Sequence, residues 1–275
     1  MRNPLALAAL AATCLSPACT STVMAEPRIL VSPYLAVYQL SGTVGMQSEP
    51  APGGPLEDNA PQTMDSFGQD HHREDVGVRV DIGDGFAGFR VDYYKLDMGT
   101  ADFGVLTDDF GRLLAGDTVA MPVDMDEWRL GYLEPIVNTE VTWRNSPLSL
   151  QFAAGGVVSD RNMDMRARTT DGQRTQNVDI KGECFYPAVR LRMGWRGAAL
   201  DLDYAISPDL VLGGDYNGTQ HDLEIRGSYT LNTRDVTVFA GYRYSAFPAK
   251  GDQDGFAFDS DLKLDGFLFG LSVTF

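Results

Sequence analysis

Phe267-Leu268-Phe269-Gly270-Leu271-Ser272-Val273-Thr274-Phe275 carries a large apolar side chain at every odd position, and its glycine, serine and threonine all fall at even ones. Successive side chains of a strand point to opposite faces, so a period of two marks a strand with one apolar face. The same rhythm runs back through the chain. Val236, Val238, Ala240, Tyr242 and Tyr244 share a parity, as do Leu223, Ile225 and Tyr229. Leu200, Leu202, Tyr204 and Ile206 repeat it, as do Val189, Leu191, Met193 and Trp195. Leu148, Leu150, Phe152 and Ala154 follow it, and so do Val76, Val78, Val80 and Ile82. Phe89, Val91 and Tyr93 complete the pattern, and no helical period is sustained anywhere.

The pattern predicts strands near 28–40, 73–82, 86–97, 126–143, 148–158, 184–195, 199–206, 219–231, 236–245 and 262–275. Short turns are expected at 83–85, 144–147, 196–198 and 232–235, where Gly, Asn, Asp and Pro gather. Long loops are expected at 41–72, 98–125, 159–183, 207–218 and 246–261. Strict alternation of short and long connections predicts an all-β fold: a transmembrane antiparallel up-and-down β-barrel of about ten strands, with eight or twelve as alternatives. An even count puts both ends on the short-turn side, the periplasm. Segment 126–143 contains Pro135, and its apolar parity changes from Trp128, Leu130 and Tyr132 to Val137, Val141 and Trp143. A β-bulge near Glu134-Pro135 accounts for both, because one extra residue flips the faces.

A soluble sandwich also alternates. Two features favour lipid. Aromatics cluster near the strand ends: Trp143, Trp195, Tyr229 and Phe275 towards the short turns, and Tyr93, Trp128, Tyr204 and Tyr244 towards the loops. Two girdles around an aliphatic band are expected of a spanning barrel. The opposite face carries Arg79, Asp81, Arg90, Asp92, Arg129, Arg190, Arg192, Asp201, Asp203, Asp222, Glu224, Arg226 and Arg243. Mixed signs there suit a narrow lumen in which each charge finds a partner.

The 275 residues hold 22 basic and 38 acidic side chains, a formal charge of −16. That balance argues against nucleic acid as a partner and allows divalent cations at acidic loops. Arg2, the apolar run Leu5–Leu15 and Val23-Met24-Ala25 read as a signal peptide over 1–25, followed by one barrel domain over 26–275. Cys14 and Cys19 fall in that segment, with poor lipidation contexts, and Cys184 alone cannot form an intramolecular disulfide. No cofactor or resident metal is implied.

On its alternating last strand and closing Phe275, and on Arg226–Leu231 and Gly241–Tyr244, the chain resembles bacterial outer-membrane β-barrel proteins. The resemblance implies a Gram-negative-type outer membrane, contact with lipid and lipopolysaccharide, and recognition of Phe275 by the barrel-assembly machinery. A non-enzymatic scaffold or a narrow pore displaying acidic loops is expected, and the acidic loops make any pore cation-favouring. The alternative is a rim enzyme. Asp124 and Asp126 in a ten-stranded barrel resemble the Asp pair of omptin proteases, but His221 is followed rather than preceded by its Asp, so that family's Asp/His half is missing. By parity His221 belongs to the lipid face of Leu223 and Ile225. Lipid-modifying types would likewise need His paired with Ser or a carboxylate. His71 and His72, with Asp70, Glu74 and Asp75, read as a solvated loop before a metal site. Asp108-Asp109 and Asp259/Asp261 are the loop acids suited to bridging Ca²⁺ or Mg²⁺, without the ordered spacing of an EF-hand.

Overall fold

The computed structural model describes residues 28–49, 54–69, 71–99, 102–208, 211–231 and 235–275. The expected signal peptide, Pro50, Pro52, Gly53, Asp70 and the turn residues 232–234 lie outside the described residues. Ten long strands follow in order: β1 Arg28–Met46, β2 Arg73–Gly83, β3 Gly88–Met98, β4 Val123–Trp143 and β5 Ser146–Thr169. They continue as β6 Thr175–Trp195, β7 Ala198–Pro208, β8 Thr219–Thr230, β9 Val236–Gln253 and β10 Phe256–Thr274. Each pairs antiparallel with its sequence neighbours, and β1 pairs with β10 from Leu30↔Thr274 to Met46↔Phe258. The ring therefore closes with ten strands rather than eight or twelve, and no ladder edge is left along the paired rows.

Two of the expected short turns are two-residue turns, while that between β2 and β3 has four residues, 84–87. Arg144 and Asn145 take φ of 47° and 57°, and Arg196 and Gly197 take 51° and 81°. Two positive φ values in succession give the turn whose twist matches that of the flanking strands. The bulge also stands: Pro135 pairs with Ala153 and Val137 with Phe152, leaving Ile136 as the extra residue.

The long loops are corrected. Segment 159–183 is mostly strand, because β5 and β6 stay in register from Leu148↔Trp195 to Arg168↔Thr175. Segment 246–261 is likewise the upper part of the β9–β10 hairpin, closed at Asp254-Gly255. Loop 207–218 contains a short strand, Val211–Gly214, paired with β6. Loop 98–125 contains Gly104–Val105 paired with Thr118–Ala120.

The reason is an inversion of polarity along each long strand. In β5 the outward residues Leu148, Leu150 and Phe152 give way to Asp160, Asn162, Asp164, Arg166 and Arg168. Its inward residues change the other way, from Gln151, Ser159 and Arg161 to buried Met163, Met165 and Ala167. β10 repeats this: Phe269 and Phe267 face outward, then Asp265, Lys263, Asp261 and Asp259, while Leu264, Leu262 and Phe258 turn inward. A spanning strand needs about 9–11 residues, so a strand of 24 residues must extend well past the membrane. Outside lipid the preference of each face reverses.

The lower part of the barrel wears an exposed apolar belt on all sides, including Val76, Phe89, Trp128, Leu191, Ile225, Val238 and Phe267. Water-soluble monomers do not leave so continuous an apolar surface uncovered. With charge inside and apolar side chains outside, the belt faces lipid and the strands span a membrane. Above the belt the barrel encloses a second core. Met64, Phe67, Leu106, Phe110, Val119 and Met121 fold inward from the loops onto Met163, Val178, Phe247 and Leu262. Phe67 and Phe110 meet edge to face with centroids 5.0 Å apart.

Candidate functional site

The lumen holds all thirteen charges that the sequence placed on the inner face, and each forms an ion pair. They lie in two tiers. In the tier nearer the short turns, Arg90 Nε donates to Asp81 at 2.5 Å and its Nη1 donates to Asp203 at 3.0 Å. Arg190 also donates to Asp203. Asp201 accepts Arg192 Nε at 2.6 Å and Arg226 Nη2 at 3.1 Å. In the next tier, Arg79 forks onto Glu224 at 2.8 and 2.7 Å and reaches Asp92 at 3.0 Å. Asp222 accepts Arg129 at 3.0 Å, Arg243 at 3.1 Å and the Ser245 hydroxyl at 2.6 Å. A forked guanidinium–carboxylate pair fixes both groups in one plane.

Two lumen charges were not among those predicted. Glu127 is fully buried and accepts Arg161 at 2.9 Å, the Ser159 hydroxyl at 2.5 Å and the Tyr94 hydroxyl at 2.5 Å. Arg161 stacks over Phe247 at 4.2 Å, and Arg243 lies over Tyr94 at 5.0 Å. These cation–π contacts join the charged tiers to the apolar core above. The missed signal was parity: 127 and 129 share a face, as do 159 and 161.

The turn between β2 and β3 closes the other end. Asp84 accepts the backbone N–H groups of Phe86 and Ala87 at 2.8 and 2.7 Å, which turns Phe86 into the lumen. Arg190 donates to the Phe86 carbonyl at 2.6 Å and Arg192 to the Gly85 carbonyl at 2.8 Å. The lumen is thereby filled by a tucked turn, two charged tiers and an apolar core.

Tyr93, Trp128, Trp143, Trp195, Tyr204, Tyr229, Tyr244 and Phe275 all stand on the outer face, exposed or half-buried. Tyr93 and Trp128 pack as neighbours, with centroids 4.3 Å apart. Phe275 is exposed and exchanges backbone hydrogen bonds with Ile29.

The groups considered for chemistry do not converge. Asp124 and Asp126 face outward on β4, and His221 faces outward on β8, where its Nδ1 is 3.0 Å from the Tyr204 hydroxyl. Four strand-to-strand steps around the wall separate β4 from β8. His71 is engaged by Asp102, while His72 is exposed. Asp108 accepts the N–H of Ala60 and Asp109 that of Ala115, so both carboxylates hold loop backbone. The N–H groups of Ala60 and Asp109 keep the Asp108 carboxyl below its usual range. Asp259 pairs with Lys250 at 2.9 Å. Among the described residues, no group of three or more His, Cys, Asp or Glu is placed to hold a metal.

Above the belt, four aspartates lie side by side across four adjacent strands: Asp97↔Asp124, Asp124↔Asp164 and Asp164↔Asp179. Like charges directly opposite repel. Burial and the Asp164 carboxylate raise the Asp179 carboxyl above its usual range.

No family model matches the chain, and no curated protein does. Among solved structures, the outer membrane protease OmpT from Escherichia coli is similar over 93% of this chain and 99% of its own, at 11% identity and a TM-score of 0.48. Ail, the attachment invasion locus protein of Yersinia pestis, is similar over 91% and 100%, at 9% identity and a TM-score of 0.32. The toluene transporter TodX of Pseudomonas putida is similar over 90% of each chain, at 8% identity and a TM-score of 0.26.

Proposed function

We propose that the chain is a closed, non-enzymatic scaffold of a Gram-negative-type outer membrane, holding an acidic platform above the lipid. The observation that carries this reading is the filled lumen. Arg79, Asp92, Glu127, Asp222, Glu224 and Arg243 are all buried and mutually paired across the barrel. An ion crossing the barrel would have to break those pairs and then pass the apolar core around Phe67 and Phe110. Small barrels with side-chain-filled interiors need not conduct. The eight outward aromatics are the groups we assign to the two lipid–water boundaries. Acids such as Asp97, Asp124, Asp164 and Asp179 stand on the part that projects beyond the belt.

Planar-bilayer recording tests the closed lumen. Purified protein is expected to give no conductance steps above the protein-free bilayer, whereas regular unitary steps of either selectivity would overturn the reading. The scaffold reading is favoured over a rim enzyme because Asp124, Asp126 and His221 occupy the outer face, four strand steps apart.

A further inference from the structure

We propose that the barrel lumen binds one small monovalent anion, of the halide class, in a cavity among its arginines. The starting observation is a charge imbalance. Among the described residues, the paired lumen groups comprise eight arginines and seven carboxylates. The tier around Glu127, Asp222 and Glu224 balances. The tier nearer the short turns does not: Arg90, Arg190, Arg192 and Arg226 share Asp81, Asp201 and Asp203. Arg90 and Arg190 both lean on the one carboxylate of Asp203.

The second observation is space between that tier and the next. A cavity of about 60 Å³ is lined by Arg79, Arg90, Arg129 and Arg190 together with Gly131 and Ala188. That volume is several times the ~10–15 Å³ a single water needs. It has room for one small ion with a few waters, and a single excess charge calls for a monovalent ion. The carboxylates on its wall, Asp92, Asp203, Asp222 and Glu224, are each already held by an arginine. The third observation is unused donors: the buried Nε–H groups of Arg79 and Arg129 have no hydrogen-bond partner.

A buried cation without a counter-charge is strongly unfavourable, and so is a buried N–H without an acceptor. A halide answers both, since it supplies one negative charge and accepts hydrogen bonds from any direction. A metal cation would add to the positive excess. Water would satisfy donors without neutralising charge.

The test uses the full folded protein in detergent. Crystals grown in sodium bromide are expected to show one anomalous bromide peak in the lumen among Arg79, Arg90, Arg129 and Arg190. Unfolding in sodium chloride is compared with sodium gluconate at equal ionic strength. A ligand bound only by the folded state, at ten times its dissociation constant, lowers the unfolded-to-folded ratio about 11-fold. Chloride should produce a saturable effect of that kind, and gluconate should not. Arg190→Met removes the excess charge and should abolish the chloride response. A lumen containing water alone, or equal responses to chloride and gluconate in the native protein, overturns the proposal.

Discussion

Glu127 holds the centre of the lumen. Its carboxylate collects Arg161, Ser159 and Tyr94, with Arg243 at 3.5 Å, and none of it reaches solvent. Removing one partner of a buried ion pair leaves the other charge stranded and costs roughly 3–5 kcal/mol. Glu127→Gln keeps the shape and removes the charge, so destabilisation of that order is expected in detergent unfolding. A change under 1 kcal/mol would mean that the tier tolerates another unbalanced arginine. The thirteen lumen charges were legible in the sequence because each sits opposite a clearly apolar position. Glu127 and Arg161 were not, because their inward neighbours above, Met125 and Met163, are apolar. At that level an inward polar residue stands next to an inward apolar one, and local contrast no longer tells the faces apart.

At the scale of the element, the strands were legible wherever lipid and lumen impose opposite tastes on the two faces. They were lost where β5, β6, β9 and β10 leave the belt. There Met163, Met165, Val178 and Ile180 keep strict alternation but on the opposite parity from Leu148, Leu150, Leu191 and Met193 in terms of inside and outside. A change of solvent, with no change of backbone, produces the same sequence signature as a strand ending. The bulge at Pro135–Val137 could be recognised because it combined a parity change with a residue that cannot donate to the ladder. Asp179 belongs to this projecting part. Its carboxyl is raised in the fold, through burial and then Asp164. Its protonated form is therefore favoured by folding, and stability is lost as pH rises from the ordinary carboxylate value through the raised one. Asp179→Asn should stabilise the β5–β6 hairpin at pH 7 by ~0.2–1 kcal/mol, the range of cross-strand pair effects. The gain should vanish in acid, where Asp179 is protonated. Amide hydrogen exchange across Met163–Ile180 reads it, and a gain independent of pH would rule out charge repulsion as the cause.

At the scale of the whole molecule, one closed sheet carries two interiors built on opposite principles. Within the belt, specificity comes from paired charges, and the apolar side chains face outward. Above it, the arrangement is that of a water-soluble protein, with Phe67, Phe110, Met163, Val178, Phe247 and Leu262 inside and acids outside. Phe247 stands at the junction, buried, with the Arg161 guanidinium 4.2 Å from its ring centre. Truncating a buried Phe to Ala costs about 3–5 kcal/mol, as lost transfer energy and residual cavity. If the two interiors are separate cooperative units, Phe247→Ala spends that loss on the upper one. Exchange should then accelerate at Met163, Met165, Val178, Ile180 and Leu262, while Leu191, Leu200, Ile225 and Phe269 in the belt keep native protection. Equal acceleration in both regions would show that the charged tiers and the apolar core unfold as one body.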